Sequence, residues 1–542
     1  MQSQTSETSF WAKVATNLGL VGKFDLEKGA IALIYIVQGA LGISHLALSF
    51  FLKDELGLSP AQSAAMIGFA MLPWTIKPLY GFISDCLPIA GYRRRPYLVF
   101  FNLLGALSWV FMAQAVHTPT MALGTILVGT LSMAFSDVII DALVVQRARA
   151  ESEGDAGSLQ AFTWGCMSVG AIASAYFSGS LVEEFGTRPV FMIAAILPIL
   201  DAVAAFAISD AKISFAQIND ELLKVTAAQE LDQPPSSAPE ASLEPDHSDR
   251  PAVNTFQLAW QNVRQQMKQL WQAVSGKSIL LPTLFIFLWQ ATPSADSAFF
   301  YFVTNDLSFN PEFLGRVRLV TSVASLVGVW IFQRYLRDVP MRRIFLWTTI
   351  ISTLLGLTSL LLVTHANRMI GIDDRWFSLG DSLILTVAGR IAFMPLLVLA
   401  ARLCPVGIEA TLFALLMSVL NLAGLCSYQL GAGLTYLLGI TETNFENLWI
   451  LVTITNLTTL LPLPFLHWLP ADGGNMASLN NPEQPEPNLG STPELLSSSN
   501  NGATKLDIAS PEPVAIASNN QSDQHPDAAA LVAPEVDAGS SI

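Results

Sequence analysis

Charge is scarce in this chain. Asp, Glu, Lys and Arg make up 13% of its 542 residues, about half the roughly 25% of a water-soluble domain. Cysteine is scarcer still. Cys86, Cys166, Cys404 and Cys426 lie inside apolar stretches or at their ends, with no Cys-x-x-Cys or Cys/His spacing. That pattern supports neither a disulfide framework nor a metal site. A Gly-rich nucleotide loop is missing, which argues against an ATP-driven pump. No cofactor and no enzymatic activity are expected. A cleavable leader is not expected either, because the first 28 residues hold no long apolar core. A basic surplus is also lacking. The formal net charge is −15, which argues against nucleic acid as a partner. The acidity sits in two polar segments: 210–251 carries a net −6 and 471–542 a net −9, so the remainder is neutral. Net charge therefore says nothing about what the apolar part binds.

Apolar residues are abundant, at 52% of the chain with a mean hydropathy of +0.47. Crossing a bilayer core takes about 20 of them in a helix. Twelve segments meet or approach that length: Gly29–Leu52, Ala61–Ser84, Tyr97–His117, Thr120–Val145, Ser158–Leu181, Pro189–Ser209, Ile279–Val303, Leu314–Tyr335, Ile344–His365, Leu379–Leu403, Gly407–Leu430 and Leu448–Leu469. The expected fold is an all-α membrane protein of twelve transmembrane helices, two six-helix bundles in pseudo-symmetric pairing, the layout of a duplicated carrier. The expected organisation is a cytoplasmic N-terminus (1–28), a first bundle (29–209), a partly disordered central loop (210–277), a second bundle (278–469) and a disordered acidic tail (470–542). Phe10–Phe24 and Asn254–Val274 read as short amphipathic helices. The tail has too few apolar residues to order and is expected to be dispensable. Lys and Arg set the orientation. With both termini in the cytoplasm, that side gains Arg93, Arg94, Arg95, Arg147, Arg149, Arg334, Arg337, Arg342, Arg343 and Arg402. The other keeps Lys53, Arg188, Arg316, Arg318, Arg368 and Arg375. Arg316 and Arg318 sit awkwardly, at the outer end of helix 8.

The loop after helix 2 reads Gly81-Phe-Ile-Ser-Asp85, then Gly91-Tyr-Arg93-Arg94-Arg95. Gly-x-x-x-Asp plus a basic cluster is similar to the major facilitator signature at this loop. Gly81 allows close helix approach, and Asp85 suits the positive N-terminus of a neighbouring helix. The arginines can bridge to acids on the opposite half, with Glu409 a plausible partner, forming a gate latch. Topology anchoring is the alternative. The loop after helix 8 lacks the Gly-x-x-x-Asp.

Ionisable residues within helices are each worth a functional hypothesis, since insertion costs roughly 2.5–3.5 kcal/mol per charge. They are Lys77, Asp137, Asp141, Asp201, Asp296, Asp381, Arg390 and Glu409. Asp137 and Asp141 share a helical face and are candidates to share a proton; Arg147 or Arg149 could instead neutralise Asp141. Arg390 suits a substrate carboxylate or an internal Asp. His45 reads as an interhelical hydrogen bonder. Helix 7 carries Trp289, Gln290, Pro293, Asp296, Phe299 and Phe300. Pro293 frees carbonyls, which is tolerated where a helix lines a cavity. The aromatics could equally be lipid-facing or core.

Three segments, Lys77–Asp85 with Gly91–Arg95, Phe287–Phe300 and Cys404–Ser418, resemble the folate–biopterin transporter family, a branch of the major facilitator superfamily. The resemblance runs from about helix 1 to helix 12. It implies a secondary transporter in the cell membrane, with folates, pterins and antifolates as small-molecule substrates, the lipid bilayer as surroundings and protons as a candidate coupling ion. It gives Lys77, Asp137, Asp141, Trp289, Gln290, Asp296, Phe299 and Arg390 a role in substrate binding. Gly81, Asp85, Arg93, Arg94, Arg95 and Glu409 gain a role in gating. A pterin ring carries a 2-amino group beside N3–H, a pair that a carboxylate can accept. A folate glutamate needs cations, and Lys77 and Arg390 are read as the only ones within the helices. The competing readings are a carrier for another organic anion or drug, and a transporter-like receptor.

Overall fold

The computed structural model describes residues 26–150, 153–210, 212, 276–336, 339–402 and 409–469. The segments 10–24 and 254–274, most of the central loop and the tail lie outside them, as do the side chains of Asp85, Arg149 and Glu409. Regular structure among the described residues is helical, apart from an isolated bridge between Ile89 and Tyr92.

Among the described residues, ten helices are long and apolar enough to cross a membrane. Spans 1 and 3–6 cover Leu26–Glu55, Arg95–Gln114, Pro119–Ala150, Glu153–Phe185 and Thr187–Ala207. Spans 8–12 cover Pro311–Leu336, Met341–Val363, Asp374–Arg402, Glu409–Leu437 and Leu448–Trp468. The two remaining members of the expected twelve cross in pieces. Span 2 runs as Pro60–Ala70, Leu72–Thr75 and Lys77–Cys86. Pro73 and Pro78 each remove a backbone donor there, and the Tyr80 hydroxyl donates to the Pro73 carbonyl (2.8 Å). Span 7 runs as Lys277–Gln290, a break at 291–295, and Asp296–Tyr301. The continuous helix expected over Ile279–Val303 is thus interrupted at Pro293. Span 11 satisfies the freed groups: Ser294 donates its N–H to the Ser427 carbonyl (3.2 Å), and the Ser427 hydroxyl donates to the Thr292 carbonyl (2.5 Å).

The two halves repeat one another in detail. Span 1 breaks after Ala40 and span 7 after Gln290; both then end in a wide i→i+5 turn, Phe51–Glu55 and Phe302–Asp306. Leu56 donates to Phe51 and Leu307 to Phe302; Leu58 donates to Leu52 and Phe309 to Val303. The next residues turn through a left-handed conformation at Gly57 (φ 60°) and Ser308 (φ 54°). Spans 2 and 8 then start alike. Ser59 and Asn310 cap the third N–H, and Pro60 and Pro311 follow at the first helical position.

Lipid offers little hydrophobic drive between helices, so close backbone approach dominates packing. Span 1 crosses span 5 at Gly39 and Gly170, where a β-carbon would lie 2.0 Å from the Met167 or Ile36 carbonyl oxygen. Between the halves, span 5 meets span 8 at Gly179 and Gly315, whose Cα and Cβ positions would approach to 2.7–2.9 Å. Other contacts between the halves lie at the same end of the bundle, the end that carries Lys53. Lys53 donates to Asn305 (2.9 Å), and Glu183 accepts from Asn310 and from the Glu312 N–H (2.9 and 2.8 Å). The Tyr301 hydroxyl reaches the Leu58 carbonyl (2.5 Å) and Ser63 (2.8 Å). Further along, spans 2 and 11 join through Gln429 to the Ala65 carbonyl (2.9 Å) and Asn421 to the Trp74 carbonyl (3.1 Å). The two halves are closed against each other at the Lys53 end.

Candidate substrate site

The first half gathers Lys77, Asp137 and Asp141 into one internal cluster, while Asp201 lies buried in span 6 with one carboxylate oxygen unpartnered. Lys77, which opens the last piece of span 2, pairs with Asp137 of span 4 at 2.5 Å, and both side chains are under one-fifth exposed. The Lys77 ammonium also sits 4.4 Å above the Trp74 ring centre. One turn further along span 4, Asp141 accepts a hydrogen bond from the buried Tyr35 hydroxyl of span 1 (2.7 Å). An aromatic stack packs alongside, with Phe135 against Phe101, Tyr80 and Tyr97 at 3.8–5.5 Å between ring centres. Neither Arg147 nor a free lysine serves these acids. Arg147 pairs with Glu27 (2.7 Å) and donates to the Ser209 carbonyl (2.9 Å). Lys77 is therefore held by Asp137 rather than offered to a substrate carboxylate.

The second half encloses a cavity of about 480 Å³ between spans 7, 9, 10, 11 and 12. Trp289, Gln290, Asp296 and Phe299, four residues separated by the break in span 7, all line it. Trp289 and Asp296 are seven residues apart and share one face, and the break adds Thr292, Pro293, Ser294 and Ala295 to the same wall. The Trp289 indole N–H donates to Thr349 (3.3 Å), and its ring meets Phe345 edge-on. That fixes one edge of the indole. Asp296 opens the second piece of span 7, where its N–H donates to the Ser294 hydroxyl (3.1 Å). Its carboxylate stands near Ser294 and Tyr428 of span 11.

Arg390 stands apart from both groups. It is exposed and donates to Ser325 of span 8 (2.7 Å), next to Gly389, which does line the cavity. It has no Asp partner among the contacts of the described residues. Arg318 corrects the expectation that Lys77 and Arg390 are the only cations within the helices. It lies two turns into Pro311–Leu336 and interacts electrostatically with His45 of span 1 and Tyr428. In the repeat, His45 occupies the place of Asp296. Four polar groups from spans 1, 7, 8 and 11 therefore face one another where the halves meet.

Within the basic cluster after helix 2, Arg95 bonds inside its own half. Arg95 donates to the Phe206 and Ile208 carbonyls at the end of span 6 (2.8 and 2.7 Å). Asp210 accepts the N–H groups of Arg94 and Arg95 (both 2.9 Å), capping span 3. Arg342 repeats this in the second half, donating to the His467 and Leu469 carbonyls at the end of span 12 (3.1 and 2.8 Å). The basic loops thus tie each bundle to its own last helix. At Gly81 a β-carbon would make only ordinary contact with Val138 (3.5 Å), so that glycine is not at a forced close approach.

Sequence reading missed Tyr35, Arg318, Tyr428 and the pair Thr358 and Ser359, which hold Asp381. Arg318 was findable by counting: at about 1.5 Å per residue it is some 10 Å inside its helix. The hydroxyl groups carry no comparable signal.

The BT1 family model matches residues 38–482. A folate-biopterin transporter of Synechocystis sp. is 56% identical over 442 residues, 82% of this chain and 81% of its own. Among solved structures, the nucleoside transporter NupG (TM-score 0.54, 14% identity, 82% of this chain and 98% of its own) has a similar fold. So does a D-xylose-proton symporter (TM-score 0.55, 14% identity, 83% and 98%). These two structural likenesses are to transporters of the major facilitator fold, and the all-helical architecture is that fold. With the three segments quoted above falling at the break of span 7 and at the ends of spans 2 and 11, the chain belongs to the BT1 family, the folate–biopterin transporters.

Proposed function

We propose that this transporter moves folates and pterins, with antifolates, across a cell membrane by alternating access, in exchange with or together with protons. It is a carrier and not an enzyme. The observation that carries the substrate reading is the meeting of Trp289, Gln290, Asp296 and Phe299 in one cavity. Its volume lies in the ~300–1,000 Å³ range of small-molecule sites, and it combines aromatic faces with a carboxylate. Those features suit a flat heteroaromatic ring rich in N–H donors. On this reading, Arg318 and Arg390 are assigned to a glutamate tail reaching beyond the cavity. The cluster of Lys77, Asp137, Asp141 and Tyr35 supports coupling to protons, because carboxylates inside a membrane are retained where charge must move. The basic ends of spans 2–3, 4–5, 8–9 and 10 support a cytoplasmic position for that face and for both termini. Closure at the Lys53 end then corresponds to a state sealed from outside.

Counterflow in proteoliposomes tests this reading. Labelled folate and biopterin are expected to exchange against unlabelled pterin, and to accumulate only when a pH gradient is imposed. Exchange of unrelated organic anions with no pterin exchange would replace the reading with that of a general anion carrier.

A further inference from the structure

Asp381 belongs to span 10 and takes no part in the cluster of acids in the first half. It faces span 9 where that helix is interrupted between Gly356 and Ser359. The interruption delivers two successive hydroxyls to its carboxylate. Thr358 donates to one oxygen (2.6 Å) and Ser359 to the other (2.7 Å). Each oxygen keeps a second acceptor position. Asp381 and Ser359 both line the 480 Å³ cavity. A second polar group in the same wall is unsatisfied: the Ser352 hydroxyl is buried and has no hydrogen-bond partner. Trp289, Phe299, Leu385 and Val452 supply apolar faces around these groups.

A carboxylate with open acceptor positions beside an orphaned hydroxyl is costly at membrane depth. A ligand that offers two adjacent, coplanar N–H donors and a neighbouring carbonyl completes both. The planar fork is what makes such pairs strong and geometrically selective. The hydroxyls from Thr358 and Ser359 fix the carboxylate plane before the ligand arrives. We propose that Asp381 is the specificity-determining residue of the cavity. It takes the amino-pyrimidinone edge of a fused heteroaromatic ring, reading the 2-amino group and N3–H as a pair. This inference rests on the pterin reading given above.

Competition for labelled biopterin uptake by the full chain in proteoliposomes tests it. The competitors are a pterin and its lumazine counterpart, in which a 2-oxo group replaces the 2-amino group. In the wild type the lumazine is expected to compete at least about tenfold more weakly, because a site built to hydrogen-bond a group rejects an analogue lacking it. Asp381→Asn replaces one acceptor oxygen with a donor. The pterin is expected to lose potency and the lumazine to hold or gain it, so that the ratio falls to about twofold or less. A structural role would weaken both competitors alike. Preserved discrimination in Asp381→Asn overturns the inference. Equal potency of the two competitors on the wild type also overturns it, even if the variant fails to insert, and leaves the pterin reading standing. A wild type that takes up neither biopterin nor folate removes both.

Discussion

The two halves share a backbone and differ in what they do with polar groups. The turn after span 1 and the turn after span 7 match hydrogen bond for hydrogen bond, and Arg95 and Arg342 close their bundles in the same way. Yet the first half partners Asp137 and Asp141 internally, through Lys77 and Tyr35, and keeps Asp201 buried in span 6 with one oxygen unpartnered. The second leaves Asp296 and Asp381 on the wall of a cavity. Repetition therefore sets the scaffold, and the chemistry placed on it separates a half with an internal ion-pair cluster from a half whose acids line a cavity.

Breaking the charged pair of the first half is expected to have the largest effect. Lys77→Met leaves Asp137 unpaired among the helices, a loss of about 3–5 kcal/mol, measured as inserted protein and thermal stability. Adding Asp137→Leu is expected to restore most of the protein, since an apolar pair replaces an ionic one at little cost. The double variant is expected to exchange pterins yet no longer accumulate them under a pH gradient. The second half predicts the opposite profile. Asp296→Asn keeps the shape and the protein level but loses a charge-assisted contact, weakening uptake by roughly ten- to a hundredfold in half-saturation.

Matched positions sharpen the comparison. Arg95→Ala and Arg342→Ala each remove a charged donor from helix-end carbonyls and are expected to lower stability by about 1.5 kcal/mol, equally in the two halves. Thermal unfolding in detergent reads this. A large loss from Arg95 alone would favour a gating role for the loop after span 2. The smallest effect lies at the left-handed turn. Gly57→Ser is expected to destabilise by about 1 kcal/mol and Ser308→Gly to stabilise by no more than that, because only glycine takes this conformation without strain.

Much of the fold was legible in hydropathy, because lipid demands long apolar helices. The breaks were legible only in part. Pro293 announces the one in span 7, whereas span 1 breaks at Leu41 and Gly42 with no proline to mark it. Trp289, Gln290, Asp296 and Phe299 stand in one short stretch of sequence, so their convergence was readable from that stretch. The partners of Asp141 and Asp381 are Tyr, Thr and Ser hydroxyls from other spans. Such residues are ordinary in apolar helices and show their role only when the helices pack. Arg95 could not be assigned from sequence because its partners are backbone carbonyls at the end of span 6.

The central claim is that the ligand enters the second half and leaves the first half's cluster unoccupied. Two reporters on a chain stripped of its native cysteines test it directly. Ser382→Cys lies in the cavity wall, and Val138→Cys lies beside Asp137. The rate of thiol labelling is measured with and without biopterin. Protection is expected at position 382, with a half-saturation equal to that of transport, and no change is expected at position 138. Protection at 138 with unchanged labelling at 382 would contradict the account and move the substrate to the first half.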